Sequence, residues 1–227
     1  MADSSEAGRR SAAPAWAAAI YVAAWIVGLA IWPSNLGVSA SGAKVVRTYS
    51  AHQAVGAAQF VLVEGIAAIA LAVVVVALAR AIRPAAPDRA RVALVTGLTA
   101  CLISIAQCAL GVVLATALAS PAHVSAADDV FDAINRLDGV KMFLLAALIG
   151  TAALAHRELG TPSWLRVVSL LAVLALLVSG VGYLVLNDLL ANAAFVSGPL
   201  LLLWVSATGL ALSRPRNPET VSPPASG

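Results

Sequence analysis

The chain has 227 residues, of which 61% are hydrophobic and 11% charged, with a formal net charge of +3. Soluble domains carry about 25% charged residues, so this balance belongs to a polytopic membrane protein whose first partner is the lipid bilayer. It leaves no room for a sizeable soluble domain. The small positive charge follows loop topology, so no nucleic-acid partner is expected.

Six apolar stretches stand out, at 14–32, 54–79, 92–118, 142–155, 167–186 and 190–212. The expected fold is all-α, a six-helix transmembrane bundle over 14–212, with disordered ends at 1–13 and 213–227. Ten of the fourteen basic residues fall at the ends or in the even-numbered loops, against Lys44, Arg47, Arg136 and Lys141 on the other side. That asymmetry predicts both termini in the cytoplasm and a multi-pass protein of the cell membrane. The first stretch follows Arg9 and Arg10 and precedes a loose small-residue site at Ser41-Gly42-Ala43. At about nineteen residues it is longer than a signal core and reads as a retained helix.

The first helix carries Trp16 and Trp32 near its two boundaries, as interfacial aromatics do. A Ser-, Gly- and Ala-rich outer loop at 33–53 leads to the second helix, in which Glu64 is the one acid deep within an apolar run. The inner loop at 80–91 has four arginines and two prolines and reads as a headgroup-facing turn. On the third helix Ser104, Gln107 and Gly111 share a face, as do Cys101 and Cys108, which read as packing residues. The segment 125–141 is expected to form a short amphipathic helix on the outer surface, feeding the fourth helix, whose apolar run is short and whose start is expected earlier, within Ile134–Val140. Helices five and six meet in a tight outer hairpin at Asn187 and Asp188, and Pro199 should kink the sixth.

A buried ionised carboxylate costs several kcal/mol, so an acid at this depth is neutral, partnered or functional. Glu64 and Gln107 both lie about 15 Å below the outer surface at 1.5 Å per residue, which favours a hydrogen bond between them. Gln59, Ser179, Tyr183, Asn187, Asp188, Asn192 and Ser197 also fall in the outer half. Two readings follow. In one, the outer half encloses a cavity with Glu64 at its floor, lined by Gln59, Ser104, Gln107, Ser179, Tyr183, Asn187 and Asn192. In the other, the bundle is dry and these groups hydrogen-bond across helices.

Asp128, Asp129 and Asp132 match the DDxxD pattern of prenyl-diphosphate enzymes, where carboxylates hold magnesium, but the same pattern suits a solvated helix start. Asn187-Asp188 begins like a second metal motif, and Ala191 and Phe195 then break it. His52, His123 and His156 all lie at loops or helix ends, away from any haem or catalytic position. No metal site and no cofactor is expected.

In size, helix spacing and the stretch INRLDGVKMFLLAAL at 134–148, the chain resembles small six-helix actinobacterial integral membrane proteins of unknown function. At the level of architecture it is also similar to compact membrane-bound terpene cyclases, which use acids on separate helices to protonate an isoprenoid epoxide or alkene. That likeness implies Glu64 as general acid and Asp188 as a second carboxylate. The leading expectation is a membrane protein that binds a small apolar or isoprenoid ligand, or a lipid, near Glu64, or that serves as a partner subunit.

Overall fold

A computed structural model of the chain describes residues 11–32, 36–159 and 161–214. The expectations for 1–10 and 215–227 lie outside the described residues. The described residues form helices and no strands, and six stretches are long and apolar enough to cross a membrane. These are α1 (Ala13–Ile31), α3 (Gln53–Ile82), α4 (Pro87–Thr116), α5 (Val124–Leu154), α7 (Ser163–Leu184) and α9 (Ala194–Ser213). Among the described residues three short α-helices join them, α2 (Gly42–Ser50), α6 (His156–Leu159) and α8 (Asp188–Ala191), together with one 3-10 turn at Pro121–His123.

The six long helices close into a ring. Each packs on the next in chain order, and α9 returns to pack on α1. An even number of crossings brings both described ends to one face, where the Ala15 amide donates to the Ser213 hydroxyl at 3.1 Å. This is the terminal face; the opposite one, carrying α2 and α8, is the distal face.

Small residues set the close contacts. A Cβ on Gly139 of α5 would stand 2.8 Å from the Gly180 carbonyl of α7, so these two backbones touch. In a bilayer, where apolar burial gives little drive between helices, such approach is a main source of packing energy. Two arginines finish helix ends by donating to orphan carbonyls: Arg89 to Leu154 at the end of α5 and Arg136 to Leu184 at the end of α7.

Two cores result. The larger, on the terminal side, is aliphatic and centres on Val74, Leu78, Leu148, Leu176 and Trp204. The smaller, on the distal side, holds Trp32, Tyr49, Leu114, Phe131 and Ile134. Tyr49 stacks between Trp32 and Phe60, at centroid distances of 5.7 and 6.2 Å. It comes from α2, in the segment expected to be loop. Val45, Val46 and Tyr49 give that helix an apolar face that covers the start of α5.

The segment 125–141 departs from the sequence expectation. No separate surface helix precedes a short fourth span; α5 runs unbroken for 31 residues. Its charged first half is continuous with the apolar second half, which carries Lys141 into the bundle, where it is buried. The α3 helix holds the other departure from regularity. Its residues Val61–Ile66 form a π-helical segment that contains Glu64. Pro199 lies inside α9, which continues through it.

Candidate functional site: a buried charge cluster

The widened turn of α3 turns Glu64 into the ring, where it is 7% exposed. Such π segments recur at functional sites because the extra residue redirects one side chain without ending the helix. Facing it from α5, the Lys141 ammonium donates to Glu64 Oε2 at 2.7 Å. The same ammonium contacts Asp138 Oδ1 at 2.7 Å, one turn away on α5. Lys141 is 7% exposed, and the Asp138 side chain keeps 21% exposure on the distal side. One cation thus bridges two carboxylates, a cluster with one negative charge in excess when all three are ionised.

The remaining helices supply the surroundings. Ser104 of α4 lies beside the Glu64 carboxylate, and Tyr21 of α1 and Tyr183 of α7 stand within electrostatic reach of the pair. With Leu201 of α9 closing one wall, all six long helices contribute to this point. Between them lies a cavity of about 30 Å³ walled by Tyr21, Trp25, Leu71, Ser104, Lys141 and Leu201. A water needs about 10–15 Å³ of such space, so the cavity admits water or one small polar group.

The depth of the cluster follows from helix length. Glu64 is eleven residues from the distal start of α3, about 16 Å at 1.5 Å per residue. Lys141 is seventeen residues from the start of α5, about 26 Å. Since the two side chains meet, the first turns of α5 stand about 10 Å beyond α3. That overhang carries Asp128 and Asp129, with Asp132 just below it. Among the described residues no group of His, Cys, Asp or Glu is arranged to hold a metal ion.

Other residues singled out from the sequence fall in different places. The expected Glu64–Gln107 hydrogen bond is not formed. Gln107 is fully buried and donates from Nε2 to the Ile134 carbonyl at 3.0 Å, while its Oε1 has no partner. Ser179 and Ser197 form their own contact between α7 and α9, with Oγ atoms 3.4 Å apart, and Ser179 also donates to Ala175 O at 2.9 Å. Gln59 is half-buried on α3, one helical turn beyond the cluster. Asn187, Asp188 and Asn192 are exposed at the α7–α8 corner. There Asn187 accepts from the Leu190 amide at 3.1 Å, and Asp188 accepts from the hydroxyl and amide of Ser39. Asp188 therefore ties down the distal connection and does not face Glu64.

Lys141 and Asp138 are the site residues that sequence reasoning missed. The signal was present: Ile134, Asp138, Lys141 and Leu145 follow one another at helical spacing on a single face. Taking the charges as a boundary hid that stripe.

The fold and site define a class, a multi-pass helical membrane protein with a buried three-residue charge cluster. Compared with protein-family models, curated proteins and solved structures, the chain matches none.

Proposed function

We propose that the protein resides in the cell membrane and binds a small amphiphilic ligand at the Glu64–Lys141–Asp138 cluster. The ligand's polar head meets the charges, and its apolar body lies among Tyr21, Trp25, Leu71 and Leu201. The ion pair is the observation that carries this reading. A buried pair is a poor stabiliser, since apolar side chains of similar volume hold a core as well or better. Charges within membrane spans are for that reason functional sites by default. Two carboxylates against one ammonium leave an excess of acceptors, which favours a head with N–H or O–H donors. The adjoining cavity, walled by Lys141 and Ser104 and by neither carboxylate, has room for a group of about water's size, so the head reaches the acids past Lys141 and the apolar body requires α1 to move away from α3 and α9.

The cyclase reading gains a nearer second carboxylate in Asp138, but Lys141 holds both acids as ion-pair acceptors. A general acid must carry a proton and aim it at the substrate. The paired geometry supports binding better than proton donation.

Native mass spectrometry of the protein released from its own membranes tests the proposal. Wild type is compared with the charge-free pair Glu64→Gln/Lys141→Met, both checked for folding by thermal denaturation. The expected result is a small-molecule adduct on wild type that the folded double variant lacks. A wild type carrying no adduct, or a double variant carrying the same one, refutes it.

A further inference from the structure

A larger cavity lies on the terminal half of the bundle, its wall on α3 beginning at Ile69, between one and two turns beyond Glu64. It is an open groove of about 710 Å³ between the start of α1, the end of α9 and one face of α3. That volume falls within the range of about 300–1,000 Å³ typical of ligand sites. Its walls include Pro14, Ile69, Val73, Ala77, Arg80 and Leu212. Ile69, Val73, Ala77 and Arg80 recur at helical spacing, so they form one stripe along α3. From Ile69 to Arg80 the stripe runs about 16 Å at 1.5 Å per residue. This is about half of a 30 Å hydrocarbon core, the depth of one leaflet.

Chemistry differs between the two ends of the groove. The deep end is wholly apolar, and alanines at 72 and 77 leave the space that larger side chains would fill. At the shallow end, Arg80 is exposed and has no ion-pair partner among the described residues. The N-terminus of the 19-residue α1 opens at the same end, through Ser11, Ala13 and Pro14. The first-turn amides of α1 are engaged, Ala13 by the Ser11 hydroxyl and Ala15 by the Ser213 hydroxyl, so the Arg80 guanidinium is the group that favours an anion, and it suits phosphate oxygens in particular.

We infer that this groove holds one anionic phospholipid of the terminal-face leaflet, with an acyl chain along Ile69–Ala77 and the phosphate at Arg80. The occupant is distinct from the ligand of the charge cluster, and neither site depends on the other. Lipid is favoured over free phosphate because most of the groove is apolar and only its rim is charged.

The test is native mass spectrometry of delipidated protein re-exposed to equal phosphatidylglycerol and phosphatidylcholine. Wild type should retain phosphatidylglycerol about fivefold over phosphatidylcholine, as expected for one arginine near a headgroup. Arg80→Gln should bring the ratio to about one, whereas the control Arg91→Gln should leave it unchanged. Ala77→Phe, which fills the groove from its half-buried wall, should remove the retained lipid of either kind. Excess inorganic phosphate should not displace the lipid. Equal retention by wild type, a preference that survives Arg80→Gln, a lipid retained by Ala77→Phe, or displacement by phosphate alone would each overturn the inference.

Discussion

Lys141→Met is the most informative single change, because its cost follows from what it leaves behind. The side chain keeps its length and apolar stem and loses the ammonium that contacts Glu64 and Asp138 at 2.7 Å each. Asp138 is one-fifth exposed and turns to water, but Glu64 lies inside the ring without a counterion. Removing one partner of a buried pair costs about 3–5 kcal/mol. Polar contacts in bilayers average lower, because the unfolded chain also finds partners there, so about 3 kcal/mol is expected. Glu64→Gln should cost only about 1 kcal/mol, since Lys141 keeps Asp138 and the amide oxygen still accepts. The double variant Glu64→Gln/Lys141→Met removes the stranded charge and should return to within about 1 kcal/mol of wild type. Reversible unfolding in bicelles measures all four proteins and closes a double-mutant cycle. Additive costs, or a Lys141→Met protein as stable as wild type, would show that the cluster is not the buried ion pair argued here.

Three further outcomes rest on other parts of the fold. Gly182→Ala places a Cβ 2.2 Å from the Ala191 amide nitrogen and 2.5 Å from the Leu190 carbonyl carbon. Both obstacles are backbone, so unfolding in the same bicelles should show a loss of about 2–3 kcal/mol. Leu186 turns the chain between α7 and α8 at φ 53°, a left-handed conformation that glycine adopts freely. Leu186→Gly should raise stability by about 0.5–1 kcal/mol, and a loss would place the value of Leu186 in its packing. Burial pushes the Tyr49 phenol from 10.0 up to about 12. The folded form therefore holds that proton more tightly than the unfolded chain. The stability this contributes is present below pH 10 and lost as pH rises through about 12. Tyr49→Phe should lose less stability over that interval than wild type in alkaline thermal melts, and equal losses would count against the burial argument.

The six crossings were legible because each is an apolar run of adequate length, and in a bilayer that pattern leaves few alternatives. What stayed hidden has local physical causes. The Gly42–Ser50 helix is short and follows a Ser- and Gly-rich stretch, so its apolar face of Val45, Val46 and Tyr49 was outweighed by its surroundings. The charged half of α5 looked like surface because composition, averaged along a window, cannot separate a charge facing solvent from one facing a partner. Only the stripe through Ile134, Asp138, Lys141 and Leu145 distinguishes them. Glu64 was recognised, yet its partner was not. A regular helix would set it level with Gln107, and the π segment changes which way it points. Nothing in the composition of Val61–Ile66 announces that extra residue.

The placement of the cluster bears on why a costly pair is kept. Apolar side chains packed between helices gain little over the same side chains packed against lipid, so aliphatic contact alone specifies rotation and register weakly in a membrane. The terminal half of this ring is almost wholly aliphatic. The distal half is held by aromatic stacking, and the charge cluster stands where the two halves meet. A contact that crosses the ring from α3 to α5 fixes both helices about their axes and passes beside α4 at Ser104. Specifying register in this way and binding a ligand are compatible, because both need the same directional groups. The excess carboxylate separates the two roles. Register alone is satisfied by one acid and one base, whereas the second acid, Asp138, keeps partial access to the distal side, and under the proposed function it is there that an incoming donor begins.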